Sequence, residues 1–184
     1  MLDKQTMNEK TQPSIRRAAV TDAERLAELG AQTFYDTFAD TNTPEDMTAY
    51  LSSSFSAALQ AAELADTNTR FLIAEIGGAA VGYAKLQSNP SPPCVTGSNP
   101  IELCRLYVSH TVIGSGVGAA LMQACIDESK AEGYKTMWLG VWERNERAKK
   151  FYERWDFQVA GEQNFQLGSD AQTDWVMYRD IGGD

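Results

Sequence analysis

The chain has 184 residues, of which 43% are hydrophobic, and this favours one globular domain over a disordered segment. Its formal net charge of −9, from 16 basic and 25 acidic residues, argues against nucleic acid as the main partner and weakly favours a cationic small molecule. No stretch is long and apolar enough to span a membrane, and residues 1–10 lack the apolar run of a signal peptide, so we expect a cytoplasmic protein with no membrane partner.

The first third of the chain predicts a strand followed by helices. We expect residues 1–12 to form a flexible tail and residues 13–184 to form a single domain. Residues 14–18 are predicted to form a strand, and residues 21–24 have the pattern of a capping box that starts a helix. Thr43 and Pro44 predict the start of a second helix, and Ser56 that of a third.

The middle of the chain predicts a hairpin and a further strand. Two apolar runs, residues 70–76 and 79–86, are joined by Gly77 and Gly78, a pair that favours a tight turn between strands. Residues 88–100 hold four of the six prolines and are predicted to form a loop, and residues 101–108 form the next strand. The three cysteines are odd in number and lack metal-ligand spacing, so we expect free thiols and no metal site.

Residues 113–118 carry three alternating glycines and open a helix that Gly133 ends. The first amides of a helix have no partner within it, and the helix dipole adds partial positive charge there, so this loop can bind a pyrophosphate. A tight turn without a ligand is the simplest alternative. A P-loop is excluded because no Gly-Lys-Ser/Thr follows. Gly114, Gly116 and Ala119 also fit a dinucleotide fingerprint, but residues 109–113 separate them from their strand and too little chain follows Glu143.

The last third predicts a strand over residues 135–141, apolar enough to lie centrally in a sheet. Asn145 can cap the next helix, which has Ala148, Phe151 and Tyr152 at helical spacing. Residues 157–161 and 173–179 are predicted to form two closing strands. The whole order indicates an α/β fold with a mixed sheet of about seven strands flanked by helices.

Two of these motifs, in this order and spacing, resemble the GNAT superfamily of N-acetyltransferases. The family has a Q/R-x-x-G-x-G/A loop that opens a helix, then a strand, then Asn-x-x-Ala-x-x-Phe-Tyr, which residues 145–152 match in full. The resemblance extends over nearly all of residues 14–180, and residues 33–47, 102–108 and 139–143 resemble the bacterial spermidine/spermine acetyltransferase-like (PaiA-type) branch. Ile113 stands where the family has Gln or Arg, which lowers the expected cofactor affinity, and Asp156 stands where it has Gly.

The resemblance implies a GNAT acyl-CoA N-acyltransferase fold in which acetyl-CoA binds between two splayed parallel strands. The pantetheine arm pairs with the first of these strands, the pyrophosphate binds the glycine loop, and a backbone amide near Val108 stabilises the oxyanion. The implied cofactor contacts are Leu106, Tyr107, Val108, Ile113, Gly114, Ser115, Gly116, Val117, Gly118, Ala119, Asn145 and Ala148.

The resemblance also implies the reaction: an acceptor amine attacks the thioester directly. Tyr152 corresponds to the general acid, although a structural role in the core would also explain it. Glu102 is the first candidate for the general base and Glu143 the second. A solvated charge at the end of a strand would explain Glu102 equally well, and a relay through water is a further route for the proton. His110 is better explained as an exposed loop residue. The implied acceptor contacts are Phe34, Tyr35, Phe38 and Asp40.

The resemblance leaves the acceptor and the alternatives open. Asp36, Asp40, Glu45 and Asp46 cluster near the expected acceptor end and are compatible with a polyamine, although acids at a helix N-terminus are favourable without any ligand. A non-catalytic acyl-CoA-binding regulatory module is one alternative, and an NAD-type dinucleotide-binding enzyme is another. A homodimer is compatible with the sequence, which does not fix the oligomeric state.

Overall fold

The computed structural model describes residues 12–183, so most of the predicted flexible tail lies outside the described residues. The helices are α1 (Ala23–Phe38), α2 (Pro44–Ser54), α3 (Ala57–Ala65), α4 (Val117–Ala131) and α5 (Glu146–Glu153). The strands are β1 (Ser14–Arg17), β2 (Thr69–Ile76), β3 (Ala79–Gln87), β4 (Pro100–Val108), β5 (Thr136–Trp142), β6 (Gln158–Leu167) and β7 (Asp170–Asp180). Within residues 12–183, no helix has the length and apolar character needed to cross a membrane.

All seven strands form one sheet in the order β1-β2-β3-β4-β5-β7-β6. Neighbouring strands are antiparallel except β4 and β5, which are parallel and are connected by α4. The predicted α/β fold with a seven-stranded mixed sheet is therefore confirmed. Because β7 lies between β5 and β6, the hairpin of β6 and β7 is joined to the sheet through β7. Residues of β7 therefore border the space at the carboxyl end of β5.

Helices cover both faces of the sheet. The largest core cluster packs α4 and α5 against one face, with Leu121, Met122 and Cys125 fully buried. Two smaller clusters pack α1, α2 and the end of α3 against the other face, around Leu26 and Phe34. Each helix thus buries one apolar stripe against the sheet, which is the usual reason for such a layered arrangement.

Local signals in the sequence have mixed outcomes. Gly133, at φ +88°, ends α4 in left-handed geometry as predicted, and Asp156 adopts φ +60° where the family has glycine. The capping box predicted over residues 21–24 is wrong. The carboxylate of Asp22 instead accepts hydrogen bonds from the Ala19 amide (2.9 Å) and from Arg16 (2.8 Å), so a short 3-10 turn precedes α1.

Candidate active site

The parallel strands β4 and β5 separate soon after they begin. They pair only at Pro100 with Thr136, Ile101 with Met137 and Glu102 with Trp138. Immediately afterwards β4 carries a bulge, since Leu103 and Arg105 oppose consecutive residues of β3 and Cys104 is extra. A bulge bends its strand and increases the local twist. The result is a cleft of about 540 Å³ between the two strands, and the predicted splayed pair is present.

The edge of β4 that faces the cleft is free for pairing. No strand of the described chain pairs with that edge after Glu102, although β3 pairs with the other edge as far as Val108. An open strand edge presents N–H and C=O groups that an extended ligand can satisfy. Leu106, Tyr107 and Val108 all line the cleft, so an extended arm with amide groups could pair with this edge.

The glycine loop forms one end of the cleft. Gly114 and Gly116 have φ of +87° and +90°, which favours glycine, and Gly116 is the N-cap of α4. The main-chain amides of Gly114 and of residues 116–119 donate no hydrogen bond within the described part of the chain. Free amides at a helix N-terminus bind anions, because the helix dipole adds partial positive charge.

Helix α5 forms the wall next to this loop. The Oδ1 atom of Asn145 accepts a hydrogen bond from the Ala148 amide at 3.1 Å and so caps α5, while both residues line the cleft. Arg147 and Arg154 line the same wall, are exposed, and form no ion pair with any described residue. Two unpaired guanidinium groups beside free amides make this end suitable for a polyanion.

Tyr152 of α5 also lines the cleft. Its ring packs edge-on against Phe151 and Phe157, with centroid separations of 5.5 and 5.8 Å. Its hydroxyl makes no hydrogen bond to a described residue. Burial raises the pKa of the phenol well above its usual value, so the hydroxyl keeps its proton across the physiological pH range.

The opposite end of the cleft is aromatic. Phe34 stacks on Tyr50 with ring centroids 4.5 Å apart, and Phe38 meets Trp142 edge-on at 5.9 Å. The aromatic residues at this end come from four different elements: Phe34, Phe38, Tyr50, Trp142 and Phe165. Faces of aromatic rings attract cations, and a set of them suits an ammonium group.

Asp174 of β7 is the one acid among the described residues that line the cleft. It is 8% exposed and its carboxylate has no hydrogen bond or ion pair with a described residue. Burial raises the pKa of this carboxyl to about 6, because the charged form loses hydration without gaining a partner.

Arg105 is a half-buried cation in the cleft lining, and the carboxylate of Glu63 balances its charge. Its guanidinium is 2.7 Å from Glu63, whose other oxygen is 2.7 Å from the Lys85 ammonium, and it lies over the ring of Phe55. Although desolvation opposes it, the hydrogen bonds from Arg105 and Lys85 lower the pKa of Glu63. These two ion pairs, which share Glu63, hold the side chain of Arg105 in place.

Most of the residues expected at the site line the cleft, but not all. Those that do are Leu106, Tyr107, Val108, Ile113, Gly114, Gly116, Gly118, Ala119, Asn145, Ala148, Tyr152, Phe34 and Phe38. Among the others, the side chain of Val117 is buried in the core, Ser115 hydrogen-bonds the Val112 carbonyl, and Tyr35 is 52% exposed. Asp40 is exposed one turn beyond the cleft.

The three residues considered as bases lie outside the cleft lining. Glu102 pairs with Trp138 before the strands separate, and its carboxylate accepts a hydrogen bond from Asn89 at 2.7 Å. Glu143 lies near Arg144, on the solvent side of the turn after β5. His110 is 64% exposed, as expected of a loop histidine, and contacts Asp36 at 2.8 Å.

Three cleft-lining residues were not expected from the sequence: Asp174, Arg147 and Arg154. Arg147 lies within the recognised motif and Arg154 directly follows α5, and a spacing of seven residues places both on the same side of the helix, where they line the cleft. Asp174 precedes four apolar or aromatic residues in a strand, and period-2 alternation puts it on the same face as Val176, which is fully buried. A carboxylate on a strand face that is otherwise apolar was therefore the feature of the sequence that could have indicated a functional role for Asp174.

Comparisons with known proteins agree with this geometry. The model of the acetyltransferase (GNAT) family matches residues 31–157. An uncharacterised N-acetyltransferase of Mycobacterium tuberculosis is 32% identical over 163 residues, which is 88% of this chain and 99% of that protein. Another, from Lactobacillus delbrueckii subsp. lactis, is 30% identical over 156 residues, 85% of this chain and 90% of that protein.

Two solved structures share the fold. The PaiA N-acetyltransferase from Thermoplasma acidophilum, in complex with coenzyme A, has a TM-score of 0.75 at 20% identity and covers 92% of this chain and 99% of its own. The yncA protein from Salmonella typhimurium, with acetyl-CoA, has a TM-score of 0.66 at 20% identity and covers 94% of this chain and 96% of its own. From the family match and the two relatives at 30% and 32% identity, the chain belongs to the acetyltransferase (GNAT) family of N-acetyltransferases.

Proposed function

We propose that this chain transfers an acetyl group from acetyl-CoA to a primary amine by direct attack in a ternary complex. The observation that carries this function is a single cleft with two chemically different ends, one suited to phosphates and one suited to an ammonium group. Acetyl-CoA is the acetyl donor: the family is one of acetyltransferases, and two proteins of this fold were solved with coenzyme A or acetyl-CoA.

The donor lies along β4 and ends on the glycine loop. Its pantetheine arm pairs with Leu106, Tyr107 and Val108, whose strand edge is open, and its pyrophosphate accepts hydrogen bonds from the free amides of residues 116–119. Ile113 supplies no polar contact there. Arg147 and Arg154 offset that loss, because both line the same end and neither forms an ion pair with a described residue.

Tyr152 acts as the general acid for the leaving thiolate. As the carbon–sulfur bond breaks, negative charge develops on sulfur, and a positioned phenol can donate its proton to it. Its raised pKa keeps the phenol protonated before the reaction. Its place in the lining of the cleft that also holds the glycine loop and the aromatic residues supports this role.

Direct attack is favoured over an acetylated enzyme. Cys104 lines the cleft, but burial raises the pKa of its thiol to about 12. A thiol that keeps its proton is a poor nucleophile. The amine therefore attacks the thioester itself, and this route requires that both substrates be bound together.

The acceptor is a primary amine, and a polyamine is the specific form that we propose to test. Of the four acids near the acceptor end, Asp46 is engaged by Thr43 and the Ser169 amide, and Asp36 contacts His110. Asp40 and Glu45 form no ion pair or side-chain hydrogen bond with a described residue and remain available to distal ammonium groups. The likeness in sequence to the PaiA-type branch, and in fold to PaiA, supports this form.

Thiol release from acetyl-CoA across a panel of amines tests the function, with mass spectrometry of the products. We expect a mass increase of one acetyl group on at least one amine and no activity without amine. A non-catalytic module would bind acetyl-CoA without releasing thiol beyond the background, and a dinucleotide enzyme would bind NAD instead. Either result would reject the proposal.

A further inference from the structure

Asp174 lines the cleft together with the aromatic residues of its acceptor end. It pairs with Trp142, the last residue of β5, so it borders the widening end of the cleft. The neighbouring position on β5 that faces the same side is Gly140. A Cβ atom there would lie 3.2 Å from Oδ2 of Asp174 and 2.6 Å from Nε2 of Gln163. A larger residue would therefore press on the carboxylate, and glycine leaves it room.

The surroundings of Asp174 contain no cation that it pairs with. Its strand neighbours Trp142 and Gln163 are uncharged, and the aromatic wall beside it contributes Tyr50, whose pKa burial raises. Arg105, a half-buried cation in the cleft lining, is held by Glu63. A carboxylate that is nine-tenths buried and unpartnered is costly, and a cation bound beside it would remove the cost.

We propose that Asp174 receives the ammonium group of the acceptor and removes one of its protons before the attack. This inference rests on the acetyltransferase function proposed above and adds its base and the charge of its substrate. The aromatic rings at this end hold the alkyl part and the charge of the ammonium group. The acceptor is thus a strongly basic alkyl amine that enters as a cation.

Asp174 takes one proton from the ammonium group, the neutral amine forms a bond to the carbonyl carbon, and the carbon–sulfur bond breaks. Tyr152 donates a proton to the sulfur, and the second proton on nitrogen returns to Tyr152 through solvent. The products are the N-acetyl amine and free thiol, and Asp174 releases its proton to water.

The other titratable groups that line the cleft do not suit this task. Tyr107 and Cys104 have raised pKa values because they are buried, and the three arginines remain cations. Asp174 is the cleft-lining group among the described residues whose pKa, about 6, lies near neutrality. A base is most effective when its pKa lies near the working pH.

Asp174→Asn tests the role, since the amide has the same shape but cannot accept the proton. The matched control is Glu162→Gln, which removes one negative charge from the exposed side of β6. The competing candidate is tested with Glu102→Gln. Two acceptors are compared: a simple alkyl amine, whose conjugate acid has a pKa of about 10, and a weakly basic amine that is already neutral at the assay pH.

For the wild type and the alkyl amine, kcat/KM should rise through pH 6 and then stay level. In Asp174→Asn it should fall by about 10²–10⁴-fold at neutral pH and then climb with pH in proportion to free amine. With the weakly basic amine, kcat/KM should fall far less in the variant, because this acceptor needs neither the proton transfer to Asp174 nor the ion pair with it. The affinity for coenzyme A, measured by calorimetry, should be the same in Asp174→Asn and in the wild type.

Several outcomes would overturn the role of Asp174. One is a wild-type pH profile in the Asp174→Asn variant, and another is an equal loss on both amines, which would indicate a structural defect. A loss confined to Glu102→Gln would move the base to Glu102. In each of these cases the acetyltransferase function stands. A wild-type protein that releases no thiol with any amine would instead reject the proposed function itself.

Discussion

Glu102 and Trp138 form the last pair between β4 and β5, and every residue that either strand contributes to the cleft follows that pair. The divergence begins at the bulge around Cys104, two positions further along β4. Main-chain groups that would otherwise pair with β5 are therefore free to meet a ligand. Glu102 itself lies behind the opening, which is why its carboxylate contacts Asn89 instead of the cleft.

Gly116→Val should weaken coenzyme A binding by more than about tenfold. A Cβ atom at Gly116 meets no protein atom within 4 Å, so the cost comes from its φ of +90° and from the space that the pyrophosphate needs. Gly133→Val is the matched control, because Gly133 has φ +88° and equally open surroundings but lies at the other end of α4.

Calorimetry with coenzyme A and with NAD would measure this effect. Both variants should lose similar stability, while only Gly116→Val should lose coenzyme A binding. Equal affinity of the two variants for coenzyme A would remove the glycine loop from the donor site. Tight binding of NAD by the wild type, with none of coenzyme A, would favour the dinucleotide alternative.

Tyr152→Phe should lower kcat by about 10²–10⁴-fold and leave the affinity for acetyl-CoA nearly unchanged. The substitution keeps the ring contacts with Phe151 and Phe157 and removes only the proton donor. Tyr178→Phe is the control, since Tyr178 packs against a separate cluster away from the cleft. Steady-state kinetics under conditions where chemistry limits the rate would check this, and an unchanged kcat would make Tyr152 purely structural.

Spermidine should show a KM that rises with ionic strength if the exposed acids beyond α1 recognise its distal charges. Interactions between exposed charges are screened beyond about 8 Å at physiological salt. Asp40→Asn should raise the KM for spermidine further, while a monoamine should respond much less. Asp127→Asn, which removes an exposed charge from α4, controls for net charge. Matching salt responses of spermidine and the monoamine would reject the polyamine form but not the acetyltransferase function.

Asp174→Asn should stabilise the free protein at alkaline pH. The pKa of Asp174 is about 6 in the folded protein against an ordinary 3.8, so the ionised carboxylate is disfavoured by folding and lowers stability above pH 6. The variant should gain about 1–3 kcal/mol of unfolding free energy at pH 8. This gain in unfolding free energy should shrink as pH falls from 6 towards 4, because Asp174 of the folded wild type then becomes protonated and neutral.

Urea unfolding at pH 8 and at pH 5 would measure this difference, with Glu162→Gln as the control for net charge. A constant difference between variant and wild type at both pH values would mean that Asp174 does not titrate with a raised pKa. A destabilised variant at pH 8 would mean that the carboxylate has a partner in the folded protein.

Local signals predicted most elements of the fold. The Gly77–Gly78 turn, the strand over β5 and the cap at Asn145 depend on residues close in sequence, and the structure has all three. The hairpin of β6 and β7 was predicted too short. Residues 162–166 of β6 are mostly polar, and an edge strand with one exposed face does not need the apolar alternation that the prediction used.

The acceptor end required tertiary information. The neighbourhood of Asp174 depends on β7 inserting between β5 and β6, a sheet order that no local pattern fixes. Likewise the bulge at Cys104 decides which side chains of β4 face α4 and which face the aromatic wall. The donor end was more accessible from sequence, because the glycine loop and the Asn145 motif each lie within one continuous segment.

The most direct test of the central claim is an initial-velocity study that varies acetyl-CoA and an alkyl amine together. Attack within a ternary complex predicts intersecting lines in double-reciprocal plots, no thiol released before amine is added, and an enzyme of unchanged mass after incubation with acetyl-CoA alone. Parallel lines, with one acetyl group attached to the protein at Cys104 or elsewhere, would contradict the account.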